Sequence, residues 1–211
     1  MIKTQDRSGY FGASDTSKVI AQNRNTRTWQ NWWFEKCGKP TESFHSRATF
    51  LGNAFEHSIL KAVSEKIEWD RQIIIDTPKQ LLRVNYDGDI GGVIYEVKTH
   101  RGDKKFEVTN AYLNQAQVEM YAWQYANEHQ ILDSEGRKLD EFKKLYIVAY
   151  GLDVEEYNAQ YDSEQDMYEG KLKVDKSRIK YIPIKYDRHF IKGVYLPSLK
   201  ELTKRLRKET K

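Results

Sequence analysis

The chain has 211 residues, a size at which one hydrophobic core still grows without splitting, so residues 1–211 are expected to form one domain. Its 35 lysines and arginines against 31 aspartates and glutamates leave a formal charge of +4, too mild by itself to mark a nucleic-acid binder. The lone Cys37 excludes a disulfide framework and any structural zinc or iron–sulfur centre built from several thiolates.

In chain order, Met1–Asp6 lacks the apolar stretch of a signal peptide, and no later apolar run approaches the ~20 residues of a membrane span. A soluble protein of a reducing cytoplasm, with no membrane contact, is expected. Ser14 or Asp15 caps a short helix to about Gln22, and Thr26 or Thr28 caps a second that ends at Gly38. Trp29, Trp32 and Trp33 lie on that second helix, at a spacing that serves a core or an interface alike. A third helix runs from about Ala48 to Ile67, with Leu51, Phe55, Ile59, Ala62 and Val63 at helical spacing. The period then changes. Gln72–Asp76, Leu81–Ile90 and Val93–Thr99 read as strands, the last two joined by Gly91-Gly92 as a two-residue hairpin turn. A long helix follows from about Ala111 to Asn127 with Thr109 or Asn110 as its cap, then strands at Lys144–Tyr150 and Arg178–Tyr186, then a helix capped by Asp187. This order predicts a mixed α/β domain, with a central sheet flanked by helices and an N-terminal helical segment. Charge is uneven along it. Basic residues dominate the two ends, whereas 153–169 holds seven acids and no base, a stretch that reads as a solvated loop, a lid or a docking hairpin.

The hairpin carries the chemistry. With Gly91 and Gly92 in the turn, Ile90 pairs with Val93, Asp89 with Ile94, Gly88 with Tyr95 and Asp87 with Glu96. Two directly opposed carboxylates have Cβ atoms about 4.5–5.5 Å apart and repel unless a positive charge lies between them; a divalent cation is the simplest one. Lys98, two residues beyond Glu96, shares its face of the strand. Two carboxylates and an ammonium are what phosphodiester hydrolysis asks for: oxygens to hold Mg²⁺ and a lysine to position the attacking water. Taken alone, D-x(8)-E-x-K on a hairpin also describes a solvated, salt-bridged face. Two features outside the hairpin support the functional reading. Glu56 falls between Val63 and Ile67 on the apolar side of its helix, where an unpaired carboxylate is costly. Gln115 and Gln117 interrupt an otherwise apolar helix, where an amide must spend its donors and acceptor on something specific. His57, one step round from Glu56, reads as surface or as a support to the site.

Gly52-Asn53-Ala54-Phe55-Glu56, Asp87-Gly88, Glu96-Val97-Lys98 and Gln115-Ala116-Gln117-Val118-Glu119-Met120 together resemble, in order, the motifs of the YqaJ-type viral recombinase nucleases, the phage lambda exonuclease family. The N-terminal Arg7-Ser8-Gly9-Tyr10-Phe11-Gly12-Ala13-Ser14 is similar to that family's R-x-G-x-x-x-A-S run. Lys180–Ile184 and the helix after it are similar to its closing strand and helix, so the likeness covers nearly the whole chain. The resemblance implies a restriction-endonuclease-like PD-(D/E)XK core, acting with Mg²⁺ or Mn²⁺ on double-stranded DNA ends. It implies degradation of one strand from the 5′ end, exposing a 3′ strand for recombination in a phage or prophage setting. It makes Asp87, Glu96, the Val97 carbonyl and Glu56 metal-site groups, Lys98 the lysine at the nucleophile and Gln115 the motif glutamine. Arg7 and Ser14 become a 5′-phosphate pocket, Ser14 at a helix start where free backbone N–H groups favour an anion. A single-strand annealing protein and a ring-shaped homotrimer are the partners it suggests. Three positions depart from the pattern: Tyr86 replaces the usual proline, Asp89 offers another carboxylate, and Gln117 with Tyr121 fits the Q-x-x-x-Y of RecB-like nucleases. A RecB-like repair nuclease or an endonuclease on the same core, and a non-catalytic DNA-binding protein, are the alternatives.

Overall fold

Apolar side chains at alternate positions, as in Ile73, Ile75 and Leu82, Val84, Tyr86, make each of these segments one face of a sheet. A computed structural model describes residues 7–40, 46–160 and 169–210. Five strands, β1 (Glu68–Thr77), β2 (Gln80–Ile90), β3 (Val93–Arg101), β4 (Lys144–Leu152) and β5 (Ile179–Ile184), lie side by side in chain order. Neighbours are antiparallel except β3 and β4, which run parallel because helix α4 (Asn110–Glu128), capped by Thr109, crosses between them. The α/β class and the mixed sheet follow the sequence expectation.

Gly91 and Gly92 form the β2–β3 turn with φ of 57° and 81°, a pair of left-handed conformations that glycine adopts at no steric cost. The register is the expected one for three pairs, Ile90 with Val93, Asp89 with Ile94 and Gly88 with Tyr95. There the ladder stops. Asp87 does not pair with Glu96; the Val97 amide donates instead to Asp87 Oδ2 at 2.7 Å. Once β3 has left, the free edge of β2 is taken by the N-terminal segment, where the Phe11 amide donates to Leu81 O (2.9 Å) and the Arg83 amide to Phe11 O (3.0 Å). The resulting cleft between β2, β3 and the N-terminal segment positions everything that follows.

Helix α3 (Arg47–Val63), capped by Ser46, packs Leu51, Phe55, Ile59 and Leu60 on one sheet face against Val97, Val148 and Tyr150. Gly88 is needed at that contact, since a Cβ there would lie 2.6 Å from Ile67 Cγ2. The opposite face holds α4, the tryptophan helix α2 (Arg27–Lys36) and the last helix. Asp187 caps that end as expected, accepting from the Phe190 amide, and a turn α6 (Arg188–Phe190) passes through a π-helical stretch into α7 (Leu196–Glu209).

Four local expectations change. The first helix is only a 3₁₀ turn, Ala13–Asp15, followed by α1 (Thr16–Val19), and neither Ser14 nor Asp15 caps it. Asp15 turns back to accept from the Gly12 amide (2.7 Å) and Trp32 Nε1 (2.8 Å). Helix α3 ends at Val63 rather than Ile67, and β1 starts four residues before the expected Gln72 because its buried Arg71 and Gln72 break the apolar alternation that reveals a strand. Trp29, Trp32 and Trp33 are all buried, packed on one another and Phe11, which assigns them to the core and not to an interface. Within the acidic stretch Val154–Asn158 forms a short helix (α5) capped by Asp153, and Glu156 accepts from Arg178 and Tyr150; 161–168, like Met1–Asp6, lies outside the described residues. No helix among the described residues is long and apolar enough to cross a membrane.

Candidate active site

Three elements bring acids together where β2 and β3 part: Asp87 from β2, Glu96 with Lys98 from β3, and Glu56 from α3. Alternation along β3 keeps Glu96 and Lys98 on one face, and the Lys98 ammonium pairs with Glu96 Oε1 while lying 5.2 Å over the Tyr112 ring. Helix α4 adds the rest. Gln115 Nε2 donates to Glu96 Oε1 (2.6 Å) and to Glu119 Oε1 (2.8 Å), the latter one helical turn on.

Of the two glutamines, Gln115 is the one that reaches these acids. Gln117 is engaged elsewhere, donating to Lys185 O (2.9 Å) and accepting from the Asp187 amide (2.6 Å), while Tyr121 donates to Gln80. Asp89 also leaves the site, since Arg71 Nε holds its carboxylate at 2.6 Å. Tyr86, where proline is usual in the resembled pattern, donates its hydroxyl to Glu119 O (2.9 Å) and packs edge-on against Trp123, fixing the turn of α4 that carries Glu119. Glu119 itself was not singled out from the sequence. Its signal was a glutamate on an otherwise buried helical stretch, four residues after Gln115.

His57 is buried, not at the surface: its ring stacks on Trp69 at 4.5 Å, and Nε2 lies 3.3 Å from Asp70 and 4.0 Å from Glu56. Glu56, His57 and Asp70 each bring a ligand atom within 4.8 Å of the others.

The electrostatics are those of too many buried acids. Burial first, then Glu96 and Asp70, raises Glu56 to about 7 against the pull of His57 and Lys98. Asp87 stands well above its ordinary value through burial and the charges of Glu56 and Glu96, and Glu119 does so through burial and Glu96. Burial alone would lower Lys98; Glu96 and Asp87 outweigh it and hold the ammonium above its usual value. The donor set suits a hard divalent ion, because the converging groups are carboxylate oxygens and Glu119 Oε2 is buried without a hydrogen-bond partner among the described residues.

A cavity of about 400 Å³ opens from this cluster. Asp87, Glu56 and Gln115 line it together with Arg7, Ser14, Lys36 and Arg83, and Arg83 lies four residues, about 13 Å, along β2 from Asp87. Arg7 donates to Ser14 Oγ at 3.3 Å, so the two residues expected to share a pocket do meet. The helix behind Ser14 is too short to add much dipole, and the positive charge comes from side chains.

Residues 4–148 match the model of the YqaJ-like viral recombinase domain. The chain belongs to that family. No curated protein sequence matches this YqaJ-family chain. Among solved structures it is similar to the alkaline exonuclease LHK-Exo of Laribacter hongkongensis, with 18% identity, TM-score 0.58, and coverage of 97% of this chain and 91% of that one. LHK-Exo in complex with dAMP gives 17% identity, TM-score 0.59 and the same coverage. A phage related exonuclease from Haemophilus somnus gives 14% identity, TM-score 0.61 and 96% coverage of both chains. At these identities the likeness is one of fold, the restriction-endonuclease-like fold expected from the motifs.

Proposed function

We propose that this YqaJ-family chain is a DNA exonuclease that uses Mg²⁺ or Mn²⁺ to degrade one strand of a duplex from its 5′ end, leaving a 3′ single strand for recombination. The observation that carries the reading is one cavity lined both by the acids Glu56 and Asp87 and by the bases Arg7, Lys36 and Arg83, with Arg83 four residues, about 13 Å, from Asp87 along β2. Such a cavity suits a strand whose scissile phosphate meets a cation while its terminal phosphate meets basic side chains. The exonuclease neighbours, one of them bound to dAMP, support the same class of reaction.

Asp87, Glu96 and the Val97 carbonyl would hold the ion, with Glu56 beside them. Bound there, the ion supplies a water of lowered pKa and offsets charge building on the phosphate. Gln115 orients Glu96 and Glu119 through its amide. Lys98, an ammonium with three donors and no acceptor, cannot ligate the ion; it holds the attacking water or a phosphate oxygen. Arg7 and Ser14 bind the 5′-terminal phosphate, which makes the enzyme read an end. An annealing protein to receive the 3′ strand and a homotrimer follow from the family reading alone, and none of the described residues argues for either.

The test is digestion of linear and closed circular duplex DNA with Mg²⁺ or with EDTA. Linear DNA consumed only with the ion, 5′-phosphorylated ends faster than 5′-hydroxyl ends, is the expected result. Cleavage of the circle would make it an endonuclease, and binding without hydrolysis under any divalent ion a DNA-binding protein.

A further inference from the structure

Buried lysines are rare unless paired, and Lys36, at the last turn of α2, is 1% exposed. Its Nζ donates to Asp15 Oδ2 at 2.7 Å and to Arg7 O at 3.2 Å, and its own carbonyl accepts from the Gly9 amide at 2.9 Å. Asp15 completes the knot, accepting also from the Gly12 amide and Trp32 Nε1, with Arg7 Nη2 3.8 Å away. The pair therefore ties the loop that carries Arg7 to the turn that carries Ser14. A stapling role would be complete if both charges pointed away from the cavity. Lys36, however, lines it alongside Arg7 and Ser14. An ammonium has three N–H donors, and the two hydrogen bonds leave one.

We infer that Lys36 is a cation of the terminal-phosphate subsite beside Arg7, held in its buried position by Asp15 and directing its third N–H to the phosphate. This rests on the end-binding reading proposed above.

The experiment measures initial rates on duplexes with 5′-phosphate and 5′-hydroxyl ends, at one salt concentration, for wild type, Lys36→Met and the double variant Lys36→Met/Asp15→Asn. The readout is the ratio of the two rates, since a global folding defect slows both ends alike, and the same substitution in an Arg7→Ala background separates a lost Lys36 contact, which lowers the ratio further, from a mere release of Arg7, which cannot. Lys36→Met is expected to lower the ratio about tenfold, the size of one hydrogen bond between charged groups. The double variant removes both charges of the buried pair, so it folds even if the single variant, with an unpaired Asp15, does not. It too should show the lowered ratio. A double variant with the wild-type ratio would mean that Lys36 only neutralises Asp15, and would overturn the inference, as would a single variant whose ratio is unchanged. A wild type indifferent to the end group would instead remove the end-binding reading itself, an outcome separate from either.

Discussion

Asp87 and Asp89 sit two residues apart on β2, yet each belongs to a different kind of buried charge cluster. Asp89 joins Asp133 and Glu68 around the Arg71 guanidinium at 2.6, 2.6 and 2.7 Å, and Arg137 adds a second cation at 2.8 Å from Asp133 and 3.1 Å from Glu68. Three acids face two arginines, and Arg71 spends its Nε, Nη1 and Nη2 on them. Asp87 joins Glu56, Glu96 and Glu119, and among the described residues these four acids are faced by Lys98 and, beside Glu56, by His57, while burial has driven Asp87 and Glu119 toward protonation. The first cluster is complete as a structure, since its two buried acids, Asp89 and Asp133, are matched by the two arginines, while Glu68 is half-exposed. The second is short of positive charge, a deficit that the proposed cation would fill.

The largest effects should come from the unbalanced cluster. Asp87→Ala or Glu96→Ala is expected to cut Mg²⁺-dependent hydrolysis by at least about 10³-fold while leaving the fold intact, since each removes a cation-holding oxygen and relieves repulsion. Single-turnover rates read the first effect and thermal melting the second; variants with wild-type rates would move the site elsewhere. Lys98→Ala should slow turnover by about 10² to 10⁴-fold, the range of general acid–base groups, with metal affinity changed far less. Calorimetry that found metal binding lost while single-turnover cleavage persisted would contradict the role given to Lys98.

The balanced cluster should respond in the opposite sense. Arg71→Met leaves Asp89 and Asp133 buried without their main partner and should destabilise the protein by about 3–5 kcal/mol in urea unfolding, as for other broken buried ion pairs. A loss below about 1 kcal/mol would mean that Arg137 alone suffices to hold the cluster.

The smallest expected effect sharpens the comparison further. Glu56 is raised to about 7 by burial and by the neighbouring acids, and Asp87 and Glu119 move the same way. Such carboxylates bind more protons folded than unfolded above their unfolded value of about 4, so their ionisation works against folding. The metal-free protein should therefore lose stability as pH rises from about 5 toward 8, by a few degrees in Tm, and Mg²⁺ should restore more of it at pH 8 than at pH 5.5. A metal-free Tm that climbs across this interval would contradict the charge deficit assigned to the cluster.

Local rules were enough to find much of this site. A two-glycine turn and a two-residue pleat put Asp87, Glu96 and Lys98 in one neighbourhood, and a 3.6-residue period put Glu56 on the buried side of its helix. Both are properties of consecutive residues, and so was the α/β order of elements. What they could not reach was set by contacts between distant segments. Asp87 and Glu96 were expected to face each other in a continuous ladder, but β3 leaves β2 at that point and the N-terminal segment fills the edge, which no pattern within the hairpin announces. Gln115 and Gln117 are equivalent as sequence; only the packing of α4 gives one to Glu96 and the other to the backbone around Lys185 and Asp187. Asp89 looked as available as Asp87 until Arg71, eighteen residues before it, was seen to hold it. Glu119 and Lys36 were legible as a glutamate and a lysine on helices and nothing more, because whether a charge is a solvated end or a working group depends on what other chain segments bring within a few ångströms of it.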